Sequence, residues 1–285
     1  MIFKIGKTTF NDGGLLRVRA FTAGASDVVV QDAQRAQRDG IIVGRDYLGA
    51  AVWAFDIDTR AGGEAGAAAA DASLHKEWNN PAIRTNPNIT VPLSYQMAGR
   101  WRRVYGRPGK YAGINGNTMT KRGIGRITCD FRVTDPLHYD DAETSVVLTI
   151  VTATTGGLMA PLAAPLSTVR SSAPRAGTVK NTGDAATALK VTFHGPITNP
   201  WVRSTAGMEV GLIGTLAYDQ TVTVDPLSGA VTRNGGTSAA GMLTRKTRMS
   251  TTVLQPGTTE LTFGGTDPTG TATATLAWRN AYTSI

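Results

Sequence analysis

Few residues of this chain have the types and spacing that chemistry requires, and each has a plainer use. His75, His138 and His194 are scattered, and His75-Lys-Glu-Trp78 lacks the second histidine of a zinc-protease helix. They read as capping or surface groups. Cys129 is the sole cysteine and can form no disulfide within the chain. It falls on the apolar side of an alternating segment with only arginines as basic neighbours in sequence, so a core thiol outweighs a nucleophile. Gly106-Arg-Pro-Gly-Lys-Tyr111 ends in Gly-Lys as a phosphate loop does. Its glycines stand too close together, and tyrosine replaces the magnesium-binding hydroxyl. Asp56 with Asp58, and Asp140 with Asp141, are carboxylate pairs that read as exposed turn acids. No Gly-x-Ser-x-Gly elbow exists. The expectation is no enzyme, no catalytic residue, no metal and no cofactor.

Charge is the stronger signal. The formal net charge of +8 comes from 29 basic and 21 acidic side chains. Residues 84–132 hold ten basic groups against the single acid Asp130, and the rest of the chain is close to neutral. Within that segment Arg100, Arg102, Arg103, Arg107, Lys110, Lys121, Arg122 and Arg126 are the candidate contact residues. Three readings stand side by side. Arginine forks suit carboxylates across a subunit interface. The charges also suit a solvated face. With Trp101 and Tyr105 interleaved, they suit nucleic acid held by phosphate contacts and base stacking. Trp201, which follows Asn199-Pro200, is a candidate sugar contact, although burial is the commoner fate of tryptophan.

The elements that position these residues are mostly strands. Short apolar runs at 2–5, 15–21, 28–30 and 50–57 are rich in strand formers. From Glu64 to Trp78 the composition turns to alanine, with Ala67, Ala70, Asp71, Leu74 and Trp78 on one side. That predicts an amphipathic helix laid on a sheet and closed by Pro81. Residues 101–105 and 125–133 alternate at period two, with Ile127, Cys129, Phe131 and Val133 inward and Arg126, Asp130 and Arg132 outward. Asp135-Pro136 reads as a break. The Gly-, Pro- and Ala-rich stretch 153–174 is too apolar for a disordered linker and is expected to lie extended on a second domain. From there to the end, short strand patterns separated by Asp-Pro, Gly-Gly and Pro-Gly turns predict a β-sandwich.

The order of motifs in the second half carries a resemblance. Val179-Lys-Asn-Thr-Gly-Asp184 is followed by His194-Gly-Pro-Ile-Thr-Asn-Pro200, Leu212-Ile-Gly214, a Thr-Val-Asp-Pro turn at 223–226, and Leu254-Gln-Pro-Gly257 before Leu261-Thr-Phe263. This order resembles the carboxy-terminal domain of siphophage distal tail proteins. The apolar-proline steps at 157–166 are similar to the family's, with Met159 and alanines where relatives often carry phenylalanine. The ending at 269–285 resembles minor tail proteins of phages infecting actinobacteria. In the first half the match is to the strand-helix-strand layout and the turn region Arg38-Asp39-Gly40 to Gly44-Arg45-Asp46.

The resemblance implies a mainly β protein. An amino-terminal belt domain with one helix would span residues 1–144, and a galectin-like β-sandwich residues 145–285. It implies a structural subunit of the virion tail, made in the host cytoplasm and closing into a homohexameric ring at the distal end of a long non-contractile tail. The implied partners are further copies of the chain, the tail tube protein, and tail hub, tip and fibre proteins. A host cell-wall glycan and passing genome DNA are further candidate partners. The rival readings are a carbohydrate-binding tail module and a basic nucleic-acid-binding β protein. The opening residues build no secretory apolar run, and no stretch reaches the roughly 20 apolar residues of a membrane span.

Overall fold

The computed structural model describes residues 1–87, 89–152, 172–173, 175–267 and 269–284. The chain divides into two compact units, Met1–Asp141 with the last residues from Thr283, and Ala142–Tyr282.

The first unit is built on one antiparallel sheet. Its strands run in the order Thr8–Phe10, Ile2–Ile5, Val91–Met97, Arg100–Ala112, Arg126–Val133, Ala51–Thr59, Leu16–Ala23. His138–Asp140 also pairs with Arg100–Ala112. Side chains alternate across a pleated strand, so each strand sorts its residues onto two faces. Trp53, Phe55 and Ile57, and next to them Ile127, Cys129, Phe131 and Val133, are buried on one face. Val52, Ala54, Asp56 and Asp58 take the intervening positions on the first of these strands, and Arg126, Thr128, Asp130 and Arg132 those on the second.

Helix Glu64–Trp78 covers the apolar face. Ala67, Ala70, Leu74 and Trp78 are its buried residues, spaced three and four apart as a 3.6-residue repeat demands. The small alanines bring the helix close to the sheet, and Trp78 anchors its end by donating its indole N–H to the Asp130 carbonyl at 3.0 Å. Tyr111 reaches the same helix, its hydroxyl donating to Asp71 Oδ1 at 2.8 Å. The helix ends at Trp78 with Asn79 as its cap. Pro81 does not close it but begins a second short helix, Pro81–Thr85, whose Asn80 cap accepts from the Ala82 amide at 3.0 Å. The first helical position needs no N–H, so proline starts a helix at no cost there.

Between the edge strand Leu16–Ala23 and Ala51–Thr59 the chain runs out into a narrow hairpin. In it Val28–Val29 pairs with Tyr47–Leu48, and Ala33–Gln34 with Ile41–Ile42.

The second unit is a β-sandwich. One sheet has the order Thr144–Thr149, Thr273–Trp278, Lys190–His194, Thr221–Asp225, Ala230–Arg233, Thr237–Ser238. The other has the order Arg175–Asn181, Gly257–Thr266, Ile197–Ser204, Glu209–Gly211, with Thr215–Leu216 also paired to Ile197–Ser204. Inward residues of both sheets share one core, with Phe193 of the first sheet 6.2 Å from Phe263 of the second. The Thr-Val-Asp-Pro turn joins two hairpin strands, and Asp225 Oδ1 accepts the Leu227 amide at 3.0 Å. The expected extended segment, including the run 157–166, falls outside the described residues apart from Ser172–Ala173.

Candidate functional site

The candidate basic residues divide between the two faces of their sheet. On Arg100–Ala112 the buried Val104, Gly106 and Pro108 mark the core side. Arg100 and Arg102 share that parity, whereas Arg103, Tyr105 and Arg107 lie on the other face. The interleaved pattern at 100–107 therefore does not form one stripe.

Two of the arginines brace the fold. Arg103 holds Asp141, with Nε 2.8 Å from Oδ1 and Nη2 2.9 Å from the backbone carbonyl. Ser94 donates to the same Oδ1 at 2.6 Å, so one carboxylate gathers two strands and the chain beyond them. Arg107 Nη2 donates to the Ile83 carbonyl, and Arg84 Nη2 donates to the Gly109 carbonyl at 3.0 Å. This crossed pair ties the short helix to the strand. A bulge between Pro108 and Tyr111 turns the Lys110 amide onto Asp130 Oδ1 at 2.6 Å. Arg102 is half-buried near Tyr95 and His138. Arg100, Lys110, Lys121, Arg122 and Arg126 are exposed. Lys121 and Arg122 end the short helix Thr118–Lys121, whose Asn117 cap accepts the Thr120 amide at 2.9 Å.

Asp56 and Asp58 are not turn acids, whereas Asp140 ends the strand His138–Asp140 and Asp141 lies in the bend that follows. Asp56 and Asp58 belong to strand Ala51–Thr59 and face away from the core, where Arg17, Asp58 and Arg126 line up across three strands. Arg126 Nε is 4.0 Å from Asp58 Oδ1, and Thr128 donates to Asp56 Oδ1 at 3.1 Å. The alignment of Arg17 with Asp58 and the pairing of Arg103 with Asp141 escape sequence reasoning because only the folded sheet makes them neighbours. The signal that was available is parity: Asp56 and Asp58 alternate with Phe55 and Ile57.

The nucleophile candidates are packed. Burial, reinforced by the charges of Asp130 and Asp56, pushes the Cys129 thiol well above its usual range, which holds it protonated. His138 is not a surface group: its Nδ1 lies 2.8 Å from the Tyr95 hydroxyl and its ring stacks on Trp53 at 6.0 Å. Burial, and then the charge of Arg102, push its pKa down to about 4. His194 is half-buried in a strand, with Nε2 3.1 Å from Thr275 Oγ1. His75 is exposed on the helix with its ring edge toward Tyr111. Residues 106–111 of the rejected phosphate loop are strand. Among the described residues no three His, Cys, Asp or Glu side chains converge as a metal site would need. No described helix is long and apolar enough to cross a membrane.

Trp201 carries the Arg203 guanidinium over its ring at 4.2 Å, and Glu209 holds that guanidinium at 3.0 Å. A Cβ at position 264 would stand 2.4 Å from Trp201 Cζ2, so Gly264 is what lets the indole lie against the neighbouring strand. The ring face that a sugar would use is occupied while Arg203 stays in place. Trp278 is buried, its N–H donating to the Lys180 carbonyl at 3.2 Å.

Comparison with known proteins accounts for this architecture. Residues 182–282 match the family model of the siphovirus-type tail component, C-terminal domain. No curated protein matches the sequence. Among solved structures, the Dit protein of phage SPP1 is similar over 98% of each chain, with 16% identity and a TM-score of 0.60. That protein is described as a paradigm of the hub adsorption apparatus in phages that infect Gram-positive hosts. A chain of the phage p2 baseplate in its activated conformation, solved with calcium and with strontium, is similar over 97% of each chain, with 12% identity and a TM-score of 0.56. Residues 182–282 are therefore similar to the C-terminal domain of siphovirus-type tail components, and the chain as a whole has the fold of the SPP1 Dit protein.

Proposed function

We propose that the chain is the ring-forming subunit at the distal end of a non-contractile tail. In this reading residues 1–144 close the ring against the tube, and residues 145–285 carry the sandwich that faces the hub and its fibres. The observation that carries it is the conjunction of the tail-component match at 182–282 with a fold likeness to Dit that extends over both units. A closed ring needs two different, complementary faces on each copy. The separately placed exposed cations Arg100, Lys110, Lys121, Arg122 and Arg126 suit repeated contacts with a neighbour's carboxylates. They suit a continuous nucleic-acid track less well, because such a track needs cations and open aromatic rings on one face. Tyr105 instead packs edge-on to Tyr139 at 5.3 Å.

The test has two parts. Native mass spectrometry of the purified protein should show a closed multiple of the 29.9 kDa chain, with six copies expected. Immunogold labelling of virions should place the chain at the end of the tail distal to the capsid. Label along the whole tube or on the capsid would refute the assignment.

A further inference from the structure

The second unit has a cationic stretch of its own. Residues 226–259 hold Arg233, Arg245, Lys246 and Arg248 and no acid. Three of these cations stand at or beside a turn, Thr244 to Thr247, that is tied to the sandwich at both ends. Leu243 bridges to Leu212, the Thr244 amide donates to the Gly211 carbonyl at 2.9 Å, and the Gly211 amide donates to Thr247 Oγ1 at 2.9 Å. The Thr247 amide closes the turn onto the Thr244 carbonyl at 3.1 Å, and the two threonine hydroxyls meet at 2.9 Å. Just beyond, the Arg248 carbonyl accepts the hydroxyl of the fully buried Thr252 at 2.9 Å. A backbone fixed at so many points presents its side chains outward, and Arg245, Lys246 and Arg248 are all exposed. Arg245 and Arg248 have no ion-pair partner among the described residues. Lys246 reaches Glu209 only at 4.0 Å, and that carboxylate already holds Arg203.

An apolar centre lies beside the turn. Ile213 is 60% exposed, and its amide donates to the Met242 carbonyl at 2.6 Å. Met242 is half-buried, and its sulfur accepts from Arg233 Nη2 at 3.3 Å. The Nε of the same guanidinium is shielded from water and has no acceptor among the described residues. Arg233 therefore keeps hydrogen-bonding capacity that the free chain does not use. The turn also covers the outer edge of strand Glu209–Gly211, so a partner meets side chains here and does not add a strand.

This composition indicates the kind of partner. An isoleucine and a polarizable methionine with arginines around them form the apolar centre and charged rim of a protein contact. A phosphate chain would leave that centre wet and would have to pass the Glu209 carboxylate, which repels it. We propose that the turn, together with Ile213 and Arg233, docks an acidic segment of another tail protein. One apolar side chain of that segment packs on Ile213 and Met242, and flanking aspartates or glutamates pair with Arg233, Arg245 and Arg248, whose planar forks suit carboxylates. The proposal rests on the tail reading above and gives the second unit a docking surface for a different protein.

The experiment places a benzoylphenylalanine photocrosslinker at Lys246 of the full chain in assembled virions, which are irradiated, digested and mapped by mass spectrometry. The expected product joins residue 246 to a different virion protein, within a segment rich in aspartate and glutamate that also carries a large apolar residue. R245E/R248E should lower the yield per incorporated copy roughly ten-fold and leave the circular dichroism spectrum unchanged, because both side chains are exposed. I213S should lower it by about three-fold. Lysines in place of the acids of the crosslinked segment should restore the yield of R245E/R248E. Crosslinks to a neutral or basic segment, to nucleic acid or to a second copy of this chain would overturn the proposal, as would an undiminished yield from R245E/R248E. If the virion labelling described above places the chain at the tail end and residue 246 still joins no other protein, the docking surface is refuted while the ring reading stands. Label elsewhere on the virion removes the ring reading itself, and the proposal with it.

Discussion

Trp78 is the point at which the first unit should be most sensitive, and the expected loss can be worked out from its surroundings. Its side chain is fully buried at the end of helix Glu64–Trp78, with ring centroids of Phe55 and Phe131 each 6.2 Å away and the Asp130 carbonyl 3.0 Å from its N–H. Trp78→Ala removes that volume in a closely packed place and should cost about 3–5 kcal/mol. Trp78→Phe keeps much of the aromatic packing, loses the hydrogen bond and leaves a smaller void, so its cost should be about 1–2 kcal/mol. For a unit of this size each kcal/mol lowers the midpoint by roughly 3–5 °C. Alanine should therefore lower it by about 10–20 °C and phenylalanine by about 3–8 °C. Scanning calorimetry with near-ultraviolet circular dichroism reads both. A midpoint within about 3 °C of wild type for the alanine variant would refute the anchoring role assigned to this residue. Equal losses for the two variants would show that the hydrogen bond, not the volume, carries the effect.

Three further outcomes follow from the same contacts. His138 has a folded pKa of about 4, below its unfolded value, so its contribution is intact above about pH 6.5 and is lost as pH falls toward 4. The unfolding free energy read from urea titrations should fall across that window by on the order of 1–2 kcal/mol for wild type, less than full burial would give because water reaches part of the ring, and the slope should flatten in His138→Gln. Burial alone would raise the Asp267 pKa, but hydrogen bonds from the Thr269 hydroxyl and from the Ala272, Thr269 and Gly270 amides outweigh it and hold the carboxyl below its usual range. Its stabilisation is present above the unfolded carboxylate value and is lost as pH falls through the lowered one. Asp267→Asn should accordingly cost about 1–3 kcal/mol in chemical denaturation at neutral pH, and little in strong acid. Arg203→Ala uncovers the Trp201 ring and should increase iodide quenching of tryptophan fluorescence; unchanged quenching would mean that the indole is sealed by other groups.

Local pattern sufficed for much of this protein. Period-two alternation through Ile127, Cys129, Phe131 and Val133, and the alanine-rich spacing that ends at Leu74 and Trp78, each specify an element and its buried side from neighbours in sequence. The order of turns in the second half likewise indicated a sandwich, because Asp-Pro and Gly-containing turns force reversals wherever they occur. Pro81 departs from the expectation because the same residue that stops one helix can start the next, and the Asn80 cap decides between them.

Tertiary structure decided what sequence distance conceals. The basic segment read as one patch, yet parity and pairing send Arg102 and Arg103 to opposite faces and give Arg103 to Asp141 and Arg107 to Ile83. Partners so far apart along the chain leave no local trace. The exposed hairpin of residues 27–48 was legible only as strand-forming valines and a turn. Whether an apolar hairpin is buried or left bare depends on what packs over it, which is a property of the assembled fold and not of the residues that form the hairpin.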